Sequence, residues 1–135
     1  MPKPPLPEDV VAFMRRPNHA VIATVRPDGQ PVSVPTWYLF EDGRVLVNMD
    51  EGRRRLDYLR QDPRVSLSMM DPDNWITHVS LQGRVVDMAD DPDLVDIDRL
   101  AQHYIGQRYH NRERGRVSAW VEIEHWHGWG AMAQR

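Results

Sequence analysis

The chain has 135 residues, with 17 basic and 20 acidic side chains and no cysteine, which suits one domain over residues 1–135 with a single hydrophobic core. The absence of cysteine excludes disulfides, thiolate nucleophiles, iron–sulfur clusters and cysteine-based zinc sites. The net charge of −3 argues against generic nucleic-acid binding, and the sequence has neither an apolar run of ~20 residues nor a signal-peptide core, so we expect a cytoplasmic protein with no membrane partner.

The first part of the chain is predicted to form a short helix and three strands. Apolar positions at helical spacing predict the helix over residues 6–16. Residues 19–26 and 31–40 are rich in β-branched and aromatic side chains, and the Asp28-Gly29 turn between them predicts a hairpin. A second turn precedes residues 44–50, so the three strands are expected to form an antiparallel meander.

An arginine-rich helix and two more strands are predicted next. Residues 52–65 hold few aliphatic side chains and many arginines, which indicates a short helix that Pro63 ends. Residues 65–70 and 75–88 resume the strand pattern on either side of a turn-forming segment.

The last third of the chain is predicted to hold a second long helix and a final strand. Asp91 is expected to cap a helix whose apolar residues recur from Leu94 to Tyr104. In the strand over residues 117–124, alternate apolar positions predict one buried face. Six strands at short spacing, interrupted by helices, favour a closed or nearly closed antiparallel barrel over a doubly wound sheet.

The strongest local signal for a binding site is the arginine run at residues 53–55, which opens the predicted helix. Guanidinium groups at a helix N-terminus are suited to holding a phosphate. The alternative is a solvated helix face whose arginines pair with the nearby carboxylates of Asp50, Asp57 and Asp62. The sequence leaves both interpretations open.

Histidines and tryptophans near the C-terminus suggest two further hypotheses. His125 and His127 lie on the same side of an extended strand and continue the inward face predicted for residues 117–124. Because nothing in the sequence supplies a third ligand, we expect no metal site there and prefer the interpretation as core or pocket histidines. The five tryptophans are suited to stacking on a planar ring, although such residues are more often found in a core or a subunit interface.

The order of these segments resembles a known family. Residues 20–40 look like its first hairpin, residues 48–67 like its third strand, phosphate-binding segment and fourth strand, residues 79–87 like its glycine-containing long strand, and residues 100–110 like its helix and Tyr-x-Gly loop. Together they resemble the flavin/deazaflavin oxidoreductases with the split-barrel fold of pyridoxamine 5′-phosphate oxidase, in particular the coenzyme F420-dependent branch.

This resemblance implies a mainly β fold with flanking helices, namely a homodimer of six-stranded antiparallel split β-barrels with a cofactor in each cleft between the subunits. It implies that Arg53 and Arg55 grip the cofactor's phosphate. The family usually has lysine at the position of Arg55, so a guanidinium fork replaces a point charge there. The tricyclic ring would lie near Pro35, Thr36, Trp37, Asn48 and Met49. Further contributors to the cleft, some from the other subunit, would be Trp75, Gln82, His127 and Trp129.

The resemblance also implies a reductase that passes a hydride from reduced F420 to an unsaturated or conjugated small molecule. Because the cofactor performs the redox step, few protein residues need catalytic roles. Candidate proton donors are Tyr109, His127 and ordered water. Two alternatives stay open: an FMN-binding oxidoreductase of the same fold, and a non-catalytic module that binds a flavin, a deazaflavin or haem.

Overall fold

Residues 1–134, the part of the chain described by this computed structural model, form an antiparallel sheet flanked by helices; Arg135, the last residue of the expected domain, lies outside the described residues. The strands are β1 (His19–Val25), β2 (Pro31–Thr36), β3 (Leu39–Glu41), β4 (Arg44–Asp50), β5 (Arg64–Asp71), β6 (Asn74–Asp90) and β7 (Arg116–Trp129). The helices are α1 (Glu8–Met14), α2 (Arg54–Gln61) and α3 (Val95–Ile105), followed by a short 3₁₀ turn at Gly130–Met132. None of these helices has both the length and the apolar character needed to cross a membrane.

The strand predicted over residues 31–40 is in fact two strands, and this break determines the shape of the sheet. The strand order is β2-β1-β5-β6-β7-β4-β3, so β2 and β3 are its two edges. Only two residues separate Thr36 at the end of β2 from Leu39 at the start of β3, which places these strand ends within about 11 Å of each other. The sheet therefore curls into a split barrel whose described edge strands are not joined by a hydrogen-bonded ladder.

Two details of the sequence prediction are corrected by this arrangement. The split barrel is confirmed, but with seven strands instead of six. Both antiparallel pairings of the predicted meander are observed, β1 with β2 and β3 with β4, but the break after Thr36 places the two pairs at opposite ends of the strand order. The physical reason is Tyr38, which is fully buried. Its hydroxyl donates to the Met14 carbonyl oxygen at 2.8 Å and accepts from Asn18 Nδ2 at 3.0 Å. These bonds fix the chain in the interior between the two edge strands.

The inner face of the curled sheet holds the main core. Ile22, Leu67, Leu81 and Trp126 lie opposite one another on successive strands, and each is at most 3% exposed. Burying a side chain of this size contributes about 1.5–3 kcal/mol. Helix α1, which is shorter at both ends than predicted, packs Phe13 against the same core.

A bulge interrupts the pairing of β6 with β7. Gln82 lies opposite His125, whereas the next residue of β6, Gly83, lies opposite Ile123. Glu124 is therefore an extra residue on β7. One inserted residue moves every later side chain of a strand to the other face of the sheet.

The bulge overturns the predicted orientation of the C-terminal histidines. After it, Trp126 is 3% exposed, while His125 is half-buried and His127 is exposed. The prediction that both histidines continue the inward face is thus wrong, because the alternation that starts at residue 117 does not survive the extra residue. The strand also continues beyond residue 124, as far as Trp129.

Helix α3 is held against the sheet by a cap and by a small second core. The prediction that Asp91 is the N-cap residue is wrong, because α3 begins at Val95 and Leu94 occupies that position. The Asp91 carboxylate still accepts hydrogen bonds from two backbone N–H groups in the first turn of α3, at 3.2 and 3.0 Å. Leu94, Ile97 and Leu100 form a cluster that is separate from the main core and packs against Trp37. This contact brings α3 to the point where the chain passes between the two edges of the sheet.

Candidate functional site

A cavity of about 480 Å³ opens beside the split in the barrel. Its walls come from the start of β1, the end of β2 with the following Trp37, and the end of β4. The segment that leads into α2, one face of α3, Tyr109 and the start of β7 complete it. The cavity thus lies where the two halves of the sheet and two helices converge.

Three arginines line the cavity without a carboxylate partner: Arg53, Arg55 and Arg116. Among residues 1–134, no carboxylate oxygen lies within 4.0 Å of their guanidinium nitrogens, although eight other arginines form such pairs. Burial, followed by the nearby charges of Arg53 and Arg116, lowers the pKa of Arg55 to about 10. Arg55 is still charged at neutral pH, and its buried Nε has no hydrogen-bond partner among the described residues. An anion bound in the cavity would compensate this charge.

The carboxylates that the sequence offers as partners for the arginine run are engaged elsewhere. The observed pairs are Asp50 with Arg114, Asp57 with Arg60, and Asp62 with Arg64. The backbone N–H of Gly52 and the guanidinium of Arg114 lower the pKa of Asp50 below its usual value. Asp50 itself lines the cavity, but its carboxylate is paired with Arg114, which lies outside the lining. The pairing expected for a solvated helix face is therefore absent at Arg53 and Arg55 within residues 1–134.

Aromatic side chains form a second, uncharged part of the cavity wall. The rings of Trp37 and Tyr104 stack with centroids 5.5 Å apart and planes 10° from parallel, and Tyr109 meets Trp37 edge-on at 6.2 Å. The Tyr104 hydroxyl donates to the Asn18 carbonyl oxygen at 2.7 Å, and burial raises the pKa of Tyr104 well above its usual value. The Tyr104 hydroxyl is therefore neutral at neutral pH and already donates its proton to Asn18, which leaves Tyr109 as the other tyrosine that lines the cavity.

The structure brings together most, but not all, of the residues predicted for the site. Those that line the cavity are Pro35, Thr36, Trp37, Asn48, Met49, Arg53 and Arg55. Gln82 instead lines a second cavity of about 470 Å³, together with the bulge residues Gly83 and Glu124. Trp75, His127 and Trp129 line neither of these two cavities, and all three are exposed. Of the two candidate proton donors in the chain, Tyr109 lines the cavity and His127 does not.

Sequence reasoning missed several residues of the cavity. Leu100 and Tyr104 were expected on the apolar face of a helix, and that spacing indicated burial without indicating what the helix covers. His19 and Arg116 lie at strand ends, where no sequence pattern distinguished them. Arg116 in particular follows other arginines in a polar loop, so only its position in the fold sets it apart.

Comparison with known proteins identifies the family. The sequence model of the pyridoxamine 5′-phosphate oxidase family matches residues 6–130. The chain belongs to the pyridoxamine 5′-phosphate oxidase family. No curated protein sequence matches it. Membership places the chain among oxidoreductases of a flavin- or deazaflavin-binding kind and agrees with the split barrel.

Solved structures support the same assignment. A protein named F420 reductase is 26% identical, with a TM-score of 0.81 over 90% of this chain and 98% of that one. The conserved hypothetical protein Rv2991 from Mycobacterium tuberculosis is 23% identical, with a TM-score of 0.71 over 94% of this chain and 86% of that one. General Stress Protein 26 from Bacillus anthracis is 16% identical, with a TM-score of 0.68 over 90% and 92% of the two chains. The last two show the fold alone.

Proposed function

We propose that this protein is an F420-dependent reductase that transfers a hydride from the reduced deazaflavin to an unsaturated or conjugated small molecule. The observation that carries the proposal is the cavity in which arginines without a carboxylate partner among residues 1–134, including the half-buried Arg55, adjoin a wall of aromatic rings. The similarity to a structure named F420 reductase favours the deazaflavin over other phosphate-bearing ring systems. A cytoplasmic location remains a prediction.

The residues of the cavity fit such a cofactor at both ends. Arg53 and Arg55, which we call the arginine cradle, offer guanidinium forks that match phosphate oxygens, and the unpartnered Nε of Arg55 supplies a free donor. Pro35, Trp37 and Met49 offer apolar surface on which a flat ring can lie. When bound, a reduced deazaflavin supplies the hydride.

The chain's own residues bind and orient the cofactor and keep water out of the cavity. The cradle fixes the phosphate end, which limits where the ring can lie against the ends of β2 and β4. Helix α3 covers the ring side with Leu100 and Tyr104, which reduces the access of water. In this proposal the Tyr109 hydroxyl holds a proton for the reduced substrate, because Tyr109 lines the cavity and the Tyr104 hydroxyl already donates to the Asn18 carbonyl oxygen.

The alternative cofactor is FMN, for which family membership is the specific support. Its phosphomonoester suits the same arginine cradle, because a guanidinium fork binds phosphate oxygens whatever ring the phosphate carries. A non-catalytic carrier of either ring would use the same contacts and would differ only in the absence of turnover.

A titration of the purified protein distinguishes these possibilities. We expect colourless protein that quenches the fluorescence of added F420 at micromolar concentration and oxidises the reduced form in the presence of a quinone or enone acceptor. Protein that is yellow as isolated and releases FMN on denaturation would replace F420 by FMN in the proposal. Binding of F420 without turnover of any acceptor tested would support the carrier, and no binding of either cofactor would refute all three functions.

We further propose that the protein is a homodimer and that Trp75, Gln82, His127 and Trp129 contribute to the cofactor site from the partner. The supporting observation is the outer face of β1, β5 and β6, where cross-strand neighbours are small and uncharged; they include Val21, Ala23, Ser66, Ser68 and Ser80. At one end of this face Trp75 is 75% exposed and Ile76 is 56% exposed. Exposed apolar side chains of this size are typical of a protein–protein interface, which supports the proposal that a second copy of the chain covers this face.

Light scattering at micromolar concentration tests the dimer. We expect twice the chain mass for the wild-type protein and a monomer for Ser80→Arg, because an arginine at the centre of the proposed interface would be buried without a partner. Gln102→Arg, on the exposed side of α3, serves as the control and should remain dimeric. A monomeric wild-type protein would contradict the proposal.

A further inference from the structure

Of the three arginines that line the cavity, Arg116 lies farthest from the others in sequence, and its guanidinium has a fixed orientation. It is the first residue of β7, and it lines the cavity beside Asp50, its partner in the β4–β7 ladder. Its Nε donates to Asn48 Oδ1 at 2.9 Å, and its guanidinium carbon lies 4.9 Å from the centre of the Tyr109 ring. A neutral amide and a ring face orient the guanidinium without neutralising it.

Arg116 has no carboxylate within ion-pair distance among residues 1–134, although its charge contributes, after the Gly52 N–H and Arg114, to lowering the pKa of Asp50. The two arginines that precede it on the same loop both form ion pairs with carboxylates, Arg112 with Asp98 and Arg114 with Asp50. Arg116 instead adds to the positive potential that lowers the pKa of Arg55. A guanidinium that disfavours the charge of Arg55, forms no ion pair among residues 1–134 and is nevertheless fixed in place is suited to a ligand anion.

Asn48 holds Arg116 in one orientation because its own side chain has a fixed direction. Asn48 is 7% exposed, and its Nδ2 donates to Ser118 Oγ at 3.0 Å and to Asp91 Oδ2 at 3.2 Å. Ser118 Oγ donates in turn to Asp96 Oδ2 at 2.6 Å. Because both of these acceptors bind the Nδ2 of Asn48, the amide cannot turn over, and its Oδ1 faces Arg116.

We infer that Arg116 is a third anion-binding residue of the cavity, acting with the arginine cradle, and that Asn48 is the residue that positions it. The inference rests on the proposed function, because the anion it concerns is the phosphate of the bound cofactor. It goes beyond that function in assigning a role to the start of β7 and to the buried polar chain behind it. An aspartate at position 48 would pair with Arg116 directly, so the neutrality of the amide is part of the arrangement.

The test compares cofactors with and without a phosphate. We would titrate FMN against riboflavin, and F420 against its phosphate-free deazaflavin chromophore, and take the ratio of the two dissociation constants as the phosphate preference. We expect Arg116→Gln to reduce the preference of the wild-type protein about tenfold, the usual effect of losing one charged hydrogen bond. Binding of the phosphate-free partner should change less than twofold.

Asn48→Asp provides the readout for positioning. We expect it to reduce the phosphate preference about as much as Arg116→Gln does, and to have little further effect when the two are combined, since both act through the same guanidinium. A merely structural role for Asn48 would instead weaken both members of each cofactor pair equally. Arg116→Lys, which keeps the charge but loses the fork, should retain part of the preference and covers the case in which the glutamine variant fails to fold.

Arg44→Gln is the matched control. Arg44 lies at the opposite end of the β4–β7 ladder and also packs over an aromatic ring, with its guanidinium carbon 6.0 Å from the centre of Trp120, but it is outside the cavity lining. Its substitution should leave the preference unchanged. If Arg55→Glu abolishes the preference and Arg116→Gln does not, the inference is overturned while the proposed function stands. If the wild-type protein binds no member of either pair, both fail.

Discussion

We expect Arg55→Glu to weaken binding of the cofactor by more than about a hundredfold, and Arg54→Glu to change it less than threefold. The two residues are adjacent and undergo the same change of charge, but Arg54 is exposed and outside the cavity lining, whereas Arg55 is half-buried within it. A carboxylate at position 55 removes a charged hydrogen bond and adds repulsion toward the phosphate. Titration of F420 and FMN against both variants measures the effect.

The loss of binding is expected without a loss of folding. In the unliganded protein the guanidinium of Arg55 is partly buried and repelled by Arg53 and Arg116, as its lowered pKa reflects. The folded pKa of about 10 lies below that of the unfolded chain, so at neutral pH the charge opposes folding. Arg55→Met should therefore raise the free energy of unfolding of the unliganded protein by about 1–2 kcal/mol, and the glutamate variant should be at least as stable as the wild type. Small and equal losses of affinity at positions 54 and 55 would refute the cradle.

Gly83→Ala should destabilise the protein strongly. A Cβ at this position would lie 2.1 Å from the carbonyl oxygen of Glu122 and 3.2 Å from Val121 Cγ1. The first contact is with the backbone of a strand paired on both sides, which cannot move aside as a flexible side chain can. We expect a loss of more than about 3 kcal/mol in the free energy of unfolding, measured by urea denaturation.

Gly106→Ala is the control that distinguishes the cost of steric overlap from the cost of an unfavourable backbone conformation. Gly106 ends α3 at φ +70°, yet a Cβ there would meet nothing within 4 Å. Its replacement should cost about 1–2 kcal/mol, the conformational penalty of a left-handed alanine. A Gly83→Ala variant no less stable than Gly106→Ala would show that the two strands can separate at the bulge.

The strands were predictable because their signals are local. Alternating β-branched and apolar residues with Asp-Gly turns identify β1 and β4, and the predicted bounds differ from the observed ones by a residue at most. The break after Thr36 could not be found in this way. It depends on the hydrogen bonds of Tyr38 to Met14 and Asn18, which lie more than fifteen positions away along the chain.

The site was predictable only in part for the same reason. Arg53 and Arg55 belong to one run of consecutive arginines, and this run predicted a cluster of positive charge. Arg116 joins them from 61 residues beyond Arg55, and nothing near it in sequence distinguishes it from Arg112 and Arg114. What distinguishes it is that no carboxylate of residues 1–134 pairs with it, a property of the folded arrangement.

By itself the sequence determined the succession of strands and helices, the family and the arginine run, because hydrophobic periodicity, turn residues and charge clusters act between neighbours in the chain. The tertiary structure alone decided which face of β7 carries His127, where the barrel is split, and which arginines lack partners. These features depend on the register between strands and on which distant side chains share a volume. One extra residue at Glu124 or one buried hydroxyl at Tyr38 changes them without altering the local pattern.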